Sequence, residues 1–151
     1  MELQTGLSTC GASALANALQ ALGWSKVPAE AVARAAGTTA DGTGAGGLRR
    51  AARAFGARVG RISSSDDASA WGALVWHLHE GGAAVLAVDR GEHWVSAIGL
   101  LGRRVIVVDP AMVVRPMLST LDREGLLAMW HARKRAVERY AVTVAGSQGA
   151  T

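Results

Sequence analysis

The chain has 151 residues and half of them are hydrophobic, so it can bury a core of its own and fits a single domain. The formal net charge is +4, but the basic residues are scattered along the chain, which argues against nucleic-acid binding. The longest apolar stretches, AAVLAV and VIVV, are far shorter than the roughly 20 residues that span a bilayer, and no secretory signal opens the chain. A cytoplasmic location without a membrane segment is therefore expected.

The first half of the chain predicts helices. A first helix is expected from Cys10 to a stop at Gly23, and a second from Pro28 to Ala36. The flexible loop TTADGTGAGG then leads into a third helix, LRRAARAF, with Thr43 expected as its cap. A strand, ARVGRI, and a further helix capped by Ser69 and carrying Trp71 and Trp76 complete this half. One of the two tryptophans is expected in the core and the other could line a groove.

The second half of the chain predicts strands. AAVLAVD, HWVSAIGLL and RVIVVD are β-rich runs, the last two joined as a hairpin at Gly102-Arg103. MVVRPML reads as a short strand, LDREGLLAMWHARKRA as a helix capped by Thr120, and RYAVTV as a closing strand. A basic group, formed by Arg133, Lys134, Arg135 and Arg139, is expected on a solvated helix face. Helices that lead and strands that trail indicate an α+β domain with a largely antiparallel sheet over residues 1–145, followed by a flexible tail at 146–151.

Cys10 is the only cysteine, so the chain forms no internal disulfide, in keeping with a reducing compartment. A cysteine attacks a carbonyl carbon well only as thiolate. At the start of a helix the positive end of the helix dipole lies near the sulfur, and a neighbouring imidazolium would lower the thiol pKa further. Gly11 is expected to leave the backbone beside the sulfur open to a substrate carbonyl. Cys10 is therefore a candidate nucleophile.

His93 and Asp109 are the candidate partners of this thiol. His93 begins one predicted strand, where the sheet would hold its backbone, and Asp109 ends the next, so both lie at the same edge of the sheet. His93 could share a proton with Cys10 and later protonate a leaving amine, while Asp109 orients the imidazole. Asp89, four residues before His93, is a rival to Asp109, but its place before Arg90-Gly91 favours a turn.

Gln4 is the candidate oxyanion donor. It lies six residues before Cys10, close enough for its amide N–H to reach a developing oxyanion beside the backbone N–H of Cys10. Loss of one such donor typically costs about 100- to 1,000-fold in rate. Taken singly, each of these four residues has a structural explanation, such as a buried cysteine or a turn-forming aspartate.

The two segments QTGLSTCGASALANALQALG and HWVSAIGLLGRRVIVVDPA together resemble the bacteriocin-processing peptidases, a papain-like family that cuts after a double-glycine leader. In that family a Gln stands six residues before a Cys-Gly pair that opens a helix. A later block has His, an aromatic residue and Val, then a strand that ends in Asp-Pro. The matching positions are Gln4, Cys10, Gly11, Leu15, Gly23, His93, Trp94, Val95, Asp109 and Pro110.

The resemblance implies a papain-like fold, with N-terminal helices packed on a C-terminal antiparallel sheet. It also implies Cys10 as nucleophile, His93 as acid/base, Asp109 as orienter and Gln4 as oxyanion donor of a cysteine peptidase. The chain departs from the family at Thr9, where an acidic residue is usual, and no transporter follows, which implies a free-standing enzyme. Its substrate would be a peptide or a flexible protein segment, cut after small residues such as Gly-Gly.

Two other functions remain open at this point. A transamidase or deamidase would use the same thiolate chemistry on a glutamine, and an inactive relative would only hold a peptide. No cofactor or metal is expected, because His77 and His79 lie two apart and so point to different faces of a helix. The loop DGTGAGG lacks the Gly-Lys-Ser/Thr ending of a phosphate-binding loop, but it could form one wall of a substrate cleft. Any partner protein stays unidentified.

Overall fold

The computed structural model describes residues 10–39, 42–111, 117–131 and 138–146. Helices dominate its first part and strands its second, as predicted. The helices are α1 (Cys10–Ala21), α2 (Ala29–Ala36), α3 (Ala45–Ala54), α4 (Asp67–His79) and α5 (Arg123–Met129). The strands are β1 (Arg58–Ser64), β2 (Ala83–Val88), β3 (His93–Leu101), β4 (Arg104–Val108), β5 (Leu118–Leu121) and β6 (Arg139–Ala145).

The strands form one six-stranded sheet in the order β1-β6-β2-β3-β4-β5, and every neighbouring pair is antiparallel. The predicted hairpin is confirmed, since β3 and β4 pair around Gly102, whose φ of 60° suits a glycine. The last strand, β6, inserts between β1 and β2 rather than closing an edge. The fold is therefore α+β with an antiparallel sheet.

Alternating side chains of the strands supply two hydrophobic cores, one on each face of the sheet. Helices α1, α2 and α3 pack on the face that carries Val85, Val142 and Val144. Helix α4 and helix α5 pack on the opposite face, against Leu86 and Val95. The first helix packs against β3, and its N-terminal end lies near the start of β3, where Gly11 meets Trp94.

Two predicted helix caps were wrong, because an aspartate beside each predicted residue takes the role. At α4 the Asp66 carboxylate accepts the backbone N–H of Ser69 at 2.8 Å. Asp66 is therefore the N-cap residue, and Ser69 lies within the first turn of the helix. At α5 Asp122 accepts the N–H of Gly125 at 2.8 Å, whereas Thr120 belongs to strand β5. A carboxylate at the N-cap also gains from the positive end of the helix.

The third helix begins earlier than predicted and without a side-chain cap. Its N-cap is Gly44, which makes no side-chain hydrogen bond to the helix. The predicted cap, Thr43, instead places its hydroxyl 2.5 Å from that of Thr38. The hydroxyl of Thr43 therefore ties the loop before α3 to the end of α2.

The basic residue Arg139 is not on a solvated helix face, contrary to the prediction. Helix α5 ends at Met129, and Arg139 begins β6 with only 4% of its surface exposed. Its guanidinium donates to the Trp130 carbonyl at 2.6 Å and to the Asp67 carboxylate at 2.9 Å, which makes burial tolerable. The other members of the basic group, residues 133–135, most of the predicted strand MVVRPML and the tail from 147 onward lie outside the described residues.

The described ranges contain no helix with both the length and the hydropathy that a membrane crossing requires.

Close packing of α2 on α3 depends on Gly47. A Cβ at this position would lie 2.2 Å from the carbonyl oxygen of Ala36, so Gly47→Ala would push the two helices apart. We expect a loss of about 1–3 kcal/mol in the free energy of unfolding, measured by urea denaturation. Gly46→Ala is the matched control: its Cβ would meet only flexible arginine atoms, the nearest at 3.6 Å, so it should gain about 0.5–1 kcal/mol. Equal effects would contradict this account.

Candidate active site

Cys10 is the first described residue of α1 and has a free thiol with 7% of the residue exposed. The first turn of the helix contains no acidic residue. Because the first N–H groups of a helix have no intrahelical partner, the backbone N–H of Gly11 can hydrogen-bond the Cys10 sulfur. The sulfur therefore lies at the positive end of the helix dipole.

The sheet brings His93 and Asp109 together. His93 begins β3 opposite Val88, and the pairing of Ser96 with Val108 places position 109 diagonal to 93 on the same side of the sheet. The Nε2 atom of His93 lies 2.7 Å from Oδ1 of Asp109. The carboxylate is held in turn, since it accepts the Ala111 N–H at 2.9 Å. Asp109 is 2% exposed, so this hydrogen bond is shielded from water.

The imidazole of His93 joins Asp109 to Cys10. Nε2 of His93 already makes a hydrogen bond to Asp109. The hydrogen bond between the His93 ring and the Cys10 side chain is therefore made by the other ring nitrogen, Nδ1. Burial by itself lowers the pKa of His93, but the hydrogen bonds and charges of Asp109 and Cys10 outweigh burial and raise this pKa to about 9. At neutral pH the ring therefore carries a proton on each nitrogen.

The pKa of the Cys10 thiol is lowered from its ordinary value. Burial raises this pKa, but the hydrogen bond from His93, the backbone N–H of Trp94, the charge of His93 and the backbone N–H of Gly11 act together in the opposite direction. The thiol and the imidazole titrate as a coupled pair, and each stabilises the charged form of the other. The structure thus favours a thiolate beside an imidazolium.

The glycine after the cysteine has a packing role that the sequence did not indicate. A Cβ at Gly11 would lie 3.1 Å from both Thr43 Cβ and Trp94 Cδ1, so the space beside this backbone is filled and not open, contrary to the expectation. The indole Nε1 of Trp94 also donates to the Thr43 carbonyl at 3.1 Å. The loop before α3 therefore lies against the start of α1, next to the thiol.

Asp89 lies in the turn between β2 and β3, as the sequence favoured. It has a φ of 54° and Arg90 a φ of 63°, left-handed values that non-glycine residues rarely adopt. The N–H of Gly91 donates to the His131 carbonyl at 2.8 Å, which anchors the turn to the end of α5. It is Asp109, and not Asp89, that hydrogen-bonds the His93 ring.

Gln4 and Thr9 lie outside the described residues, so the structure does not place the predicted oxyanion donor. A residue that the sequence analysis missed is Ser96, which is fully buried on β3 and donates its hydroxyl to the Ala14 carbonyl of α1. This bond pins the helix of the cysteine to the strand of the histidine. The only sequence feature that could have indicated this contact is a serine within an otherwise apolar strand.

His77, on helix α4, has structural partners. His77 places Nε2 2.9 Å from the Ala83 carbonyl and 3.0 Å from the Val144 carbonyl, between the ends of two strands. In the part of the chain that the structure describes, no group of three or more His, Cys, Asp or Glu side chains is arranged to hold a metal ion.

Comparison with known proteins identifies the family. The model of the peptidase C39 family matches residues 1–132. The chain belongs to the peptidase C39 family. It is accordingly a cysteine peptidase, a hydrolase, and the sequence-based expectation of family and enzyme class is confirmed. No curated protein matches the sequence at a significant level.

Solved structures share the fold. The peptidase domain of Streptococcus ComA, a bi-functional ABC transporter in a quorum-sensing pathway, is 19% identical, with a TM-score of 0.69 and 97% of each chain covered. A double-glycine motif protease from an AMS/PCAT transporter, in complex with its leader peptide, is 19% identical with a TM-score of 0.66, covering 95% of this chain and 89% of that one. A C39-like peptidase from Bacillus anthracis is 13% identical with a TM-score of 0.68, covering 98% and 94%. The papain-like fold predicted from the sequence is thus confirmed.

The lowered pKa of Cys10 predicts how the thiol reacts. The rate of iodoacetamide labelling, followed by mass spectrometry, should titrate with a midpoint below that of an ordinary thiol, because only the thiolate reacts. His93→Gln removes the imidazolium and leaves burial, so the midpoint should rise to or above the ordinary value. His79→Gln, an exposed histidine on α4, is the control and should leave the curve unchanged. A wild-type midpoint at the ordinary value would refute the ion pair.

Proposed function

We propose that the C39 peptidase hydrolyses a peptide bond with Cys10 as nucleophile, His93 as acid and base, Asp109 as the residue that orients His93, and Gln4 as oxyanion donor. The observation that carries the proposal is the hydrogen-bonded series from Asp109 through His93 to Cys10, with the pKa of the thiol lowered and that of the imidazole raised to about 9. Opposite shifts of this kind are typical of a nucleophile and its acid/base.

In the first half of the reaction the Cys10 thiolate attacks the carbonyl carbon of the substrate. The carbonyl oxygen becomes an oxyanion, stabilised by the backbone N–H of Cys10 at the start of α1 and by the Gln4 amide. As the tetrahedral intermediate collapses, Nδ1 of His93 gives its proton to the amine nitrogen, and the C–N bond breaks. The amine leaves and a thioester remains on Cys10.

In the second half, the now neutral His93 acts as base. Its Nδ1 takes a proton from a water molecule, whose oxygen attacks the thioester carbon. The second tetrahedral intermediate releases the carboxylic acid product and regenerates the Cys10 thiolate beside the imidazolium. Through both halves the Nε2–Asp109 hydrogen bond keeps the ring in one orientation and supports its positive charge.

The substrate proposed here is a peptide or flexible protein segment with small residues such as Gly-Gly before the cleaved bond. Trp94 and Thr43 lie close over Gly11 beside the thiol, and this crowding favours small side chains next to the scissile bond. The leader peptide bound to the AMS/PCAT protease supports a peptide substrate. A free, reactive thiol is suited to a reducing cytoplasm, where we place the enzyme.

Cleavage of a mixed peptide library tests this function. We expect new N-termini, enriched after small residues, with the wild-type enzyme and none with Cys10→Ala, read by N-terminal profiling in a mass spectrometer. A transamidase or deamidase acting on glutamine would instead release ammonia without new N-termini. Ammonia release alone would overturn the peptidase assignment for this site.

Replacing each aspartate by asparagine tests the choice of Asp109 over Asp89. The wild-type rate should fall at alkaline pH as the imidazolium is lost near pH 9. Asp109→Asn removes the group that contributes most to raising the pKa of His93, so the fall in rate at alkaline pH should begin at a lower pH. We also expect kcat to fall about 10²- to 10⁴-fold. Asp89→Asn keeps a residue that tolerates a positive φ and should leave the pH at which the rate falls unchanged. The reverse ranking would exclude Asp109 as the orienting residue.

A further inference from the structure

The ring of His93 has to reach across the end of the sheet to meet Cys10. Along β3, Trp94 packs on the start of α1 and Ser96 donates to the backbone of that helix, so both side chains face α1. Side chains of a strand alternate between its faces, so His93 shares the parity of Val95, which lies in the core on the opposite face. The direction in which the chain enters β3 therefore decides whether the ring reaches the thiol.

The turn that leads into β3 has a strained backbone. It joins the end of β2 to His93, and within it both Asp89 and Arg90 have a positive φ, which costs free energy in residues other than glycine. A strained conformation persists only where its surroundings hold it. Here the Gly91 N–H donates to the His131 carbonyl at 2.8 Å, so the turn is held by the segment that directly follows α5.

The end of α5 is fixed in its turn by Arg139, the first residue of β6. Its Nη1 donates to the Trp130 carbonyl at 2.6 Å and its Nη2 to the Asp67 carboxylate at 2.9 Å, so it joins the end of α5 to the start of α4. Trp130 directly precedes His131, whose carbonyl holds the turn. Hydrogen bonds and short stretches of backbone thus connect Arg139 to His93, as a network that couples two positions requires.

Packing alone does not account for an arginine at this position. The Arg139 side chain is 5% exposed, whereas the Asp67 side chain that it binds is 53% exposed. Its Nε–H has no acceptor among the described residues. A buried charge with incomplete hydrogen bonding costs free energy, and an apolar residue of similar volume is often as stable or more stable there. What the guanidinium supplies, and an apolar side chain cannot, is a donor to the Trp130 carbonyl.

We propose that Arg139 is a positioning residue for the peptidase reaction: by fixing the end of α5, it holds the turn before β3 in the conformation that brings His93 to Cys10. The inference rests on the proposed function, in which His93 is the acid and base. It adds a residue that contacts neither the substrate nor the thiol and acts through the backbone. The free energy spent on burying a charge in the helix-covered half of the sheet is thereby used to align the catalytic ring.

Arg139→Met tests this role, since methionine is apolar and has no donor. On a peptide that the wild-type enzyme cleaves, we expect kcat to fall about 10- to 100-fold, because a small misplacement of a catalytic group has effects of this size. KM should stay within about two-fold, because Arg139 does not contact substrate. The fall in rate at alkaline pH should begin at a lower pH, because the His93 ring loses part of its contact with Asp109 and Cys10. Loss of a positive charge alone would act in the opposite direction and raise the pKa of His93.

Two variants serve as controls. Arg139→Lys keeps the charge and a donor for the Trp130 carbonyl, so it should recover most of the lost kcat. Arg104→Gln is the matched control, because Arg104 also joins two elements by donating to the side chain and the carbonyl of Thr120. It begins β4, at the end of the sheet away from His93, and its loss should leave kcat and the pH profile unchanged. Equal effects of Arg139→Met and Arg104→Gln, or a wild-type pH profile in Arg139→Met, would overturn the inference.

Arg90→Gly tests whether Arg139 acts through the strained turn. Glycine adopts the φ of 63° found at Arg90 without strain, so the turn needs less support. In the Arg139→Met background, Arg90→Gly should therefore restore part of the lost kcat. If the double variant instead loses activity by the product of the two single effects, the two residues act independently and the inference fails.

Two further outcomes keep this inference separate from the function itself. If the enzyme cleaves no peptide, the proposed function fails, and iodoacetamide titration of Cys10 then tests the positioning role. Arg139→Met should raise the midpoint of that titration and Arg104→Gln should not; equal midpoints would refute the inference. If Arg139→Met does not fold, as judged by circular dichroism, Asp67→Ala replaces it at a half-exposed side chain. It should cause a smaller change of the same kind, and a wild-type titration and pH profile would refute the inference.

Discussion

A buried Cys10 thiolate and a partly buried His93 imidazolium stabilise each other at one end of the sheet, and the proposed chemistry depends on this pair. Burial alone would raise the pKa of Cys10 and lower that of His93, so each group would be neutral and neither would react well. Together, and with Asp109 behind the ring, both shifts are reversed. Each charged group is less stable here without the other, so the geometry that joins them is the constraint that the fold has to meet.

The fold meets this constraint by holding a helix start against a strand start. Packing of α1 on the sheet fixes the position of Cys10 relative to the strands. The buried hydroxyl of Ser96 ties β3 directly to the α1 backbone. Gly11 allows Trp94 and Thr43 to approach the same point from the sheet and from the loop. Three segments that are distant in sequence therefore converge within one helical turn of Cys10, and small displacements of any of them would separate the sulfur from the imidazole.

Trp94 links this site to strand β6 beside it. Its backbone N–H lies at the thiol, its ring packs over Gly11, and the same ring lies edge to face with that of Tyr140. A single residue therefore contacts α1, the loop before α3 and strand β6.

The sequence by itself determined the residue types of the site and most of the elements that carry them. The apolar spacing and the glycine stop of the first helix, the β-rich runs that begin at His93 and end before Asp109, and the hairpin at Gly102 are local signals, since each depends on residues a few positions apart. Only the tertiary structure decided that Asp109 rather than Asp89 meets His93, that β6 lies inside the sheet, and that Arg139 is buried. These outcomes depend on strand register and on packing between segments far apart in the chain, for which local periodicity carries no information.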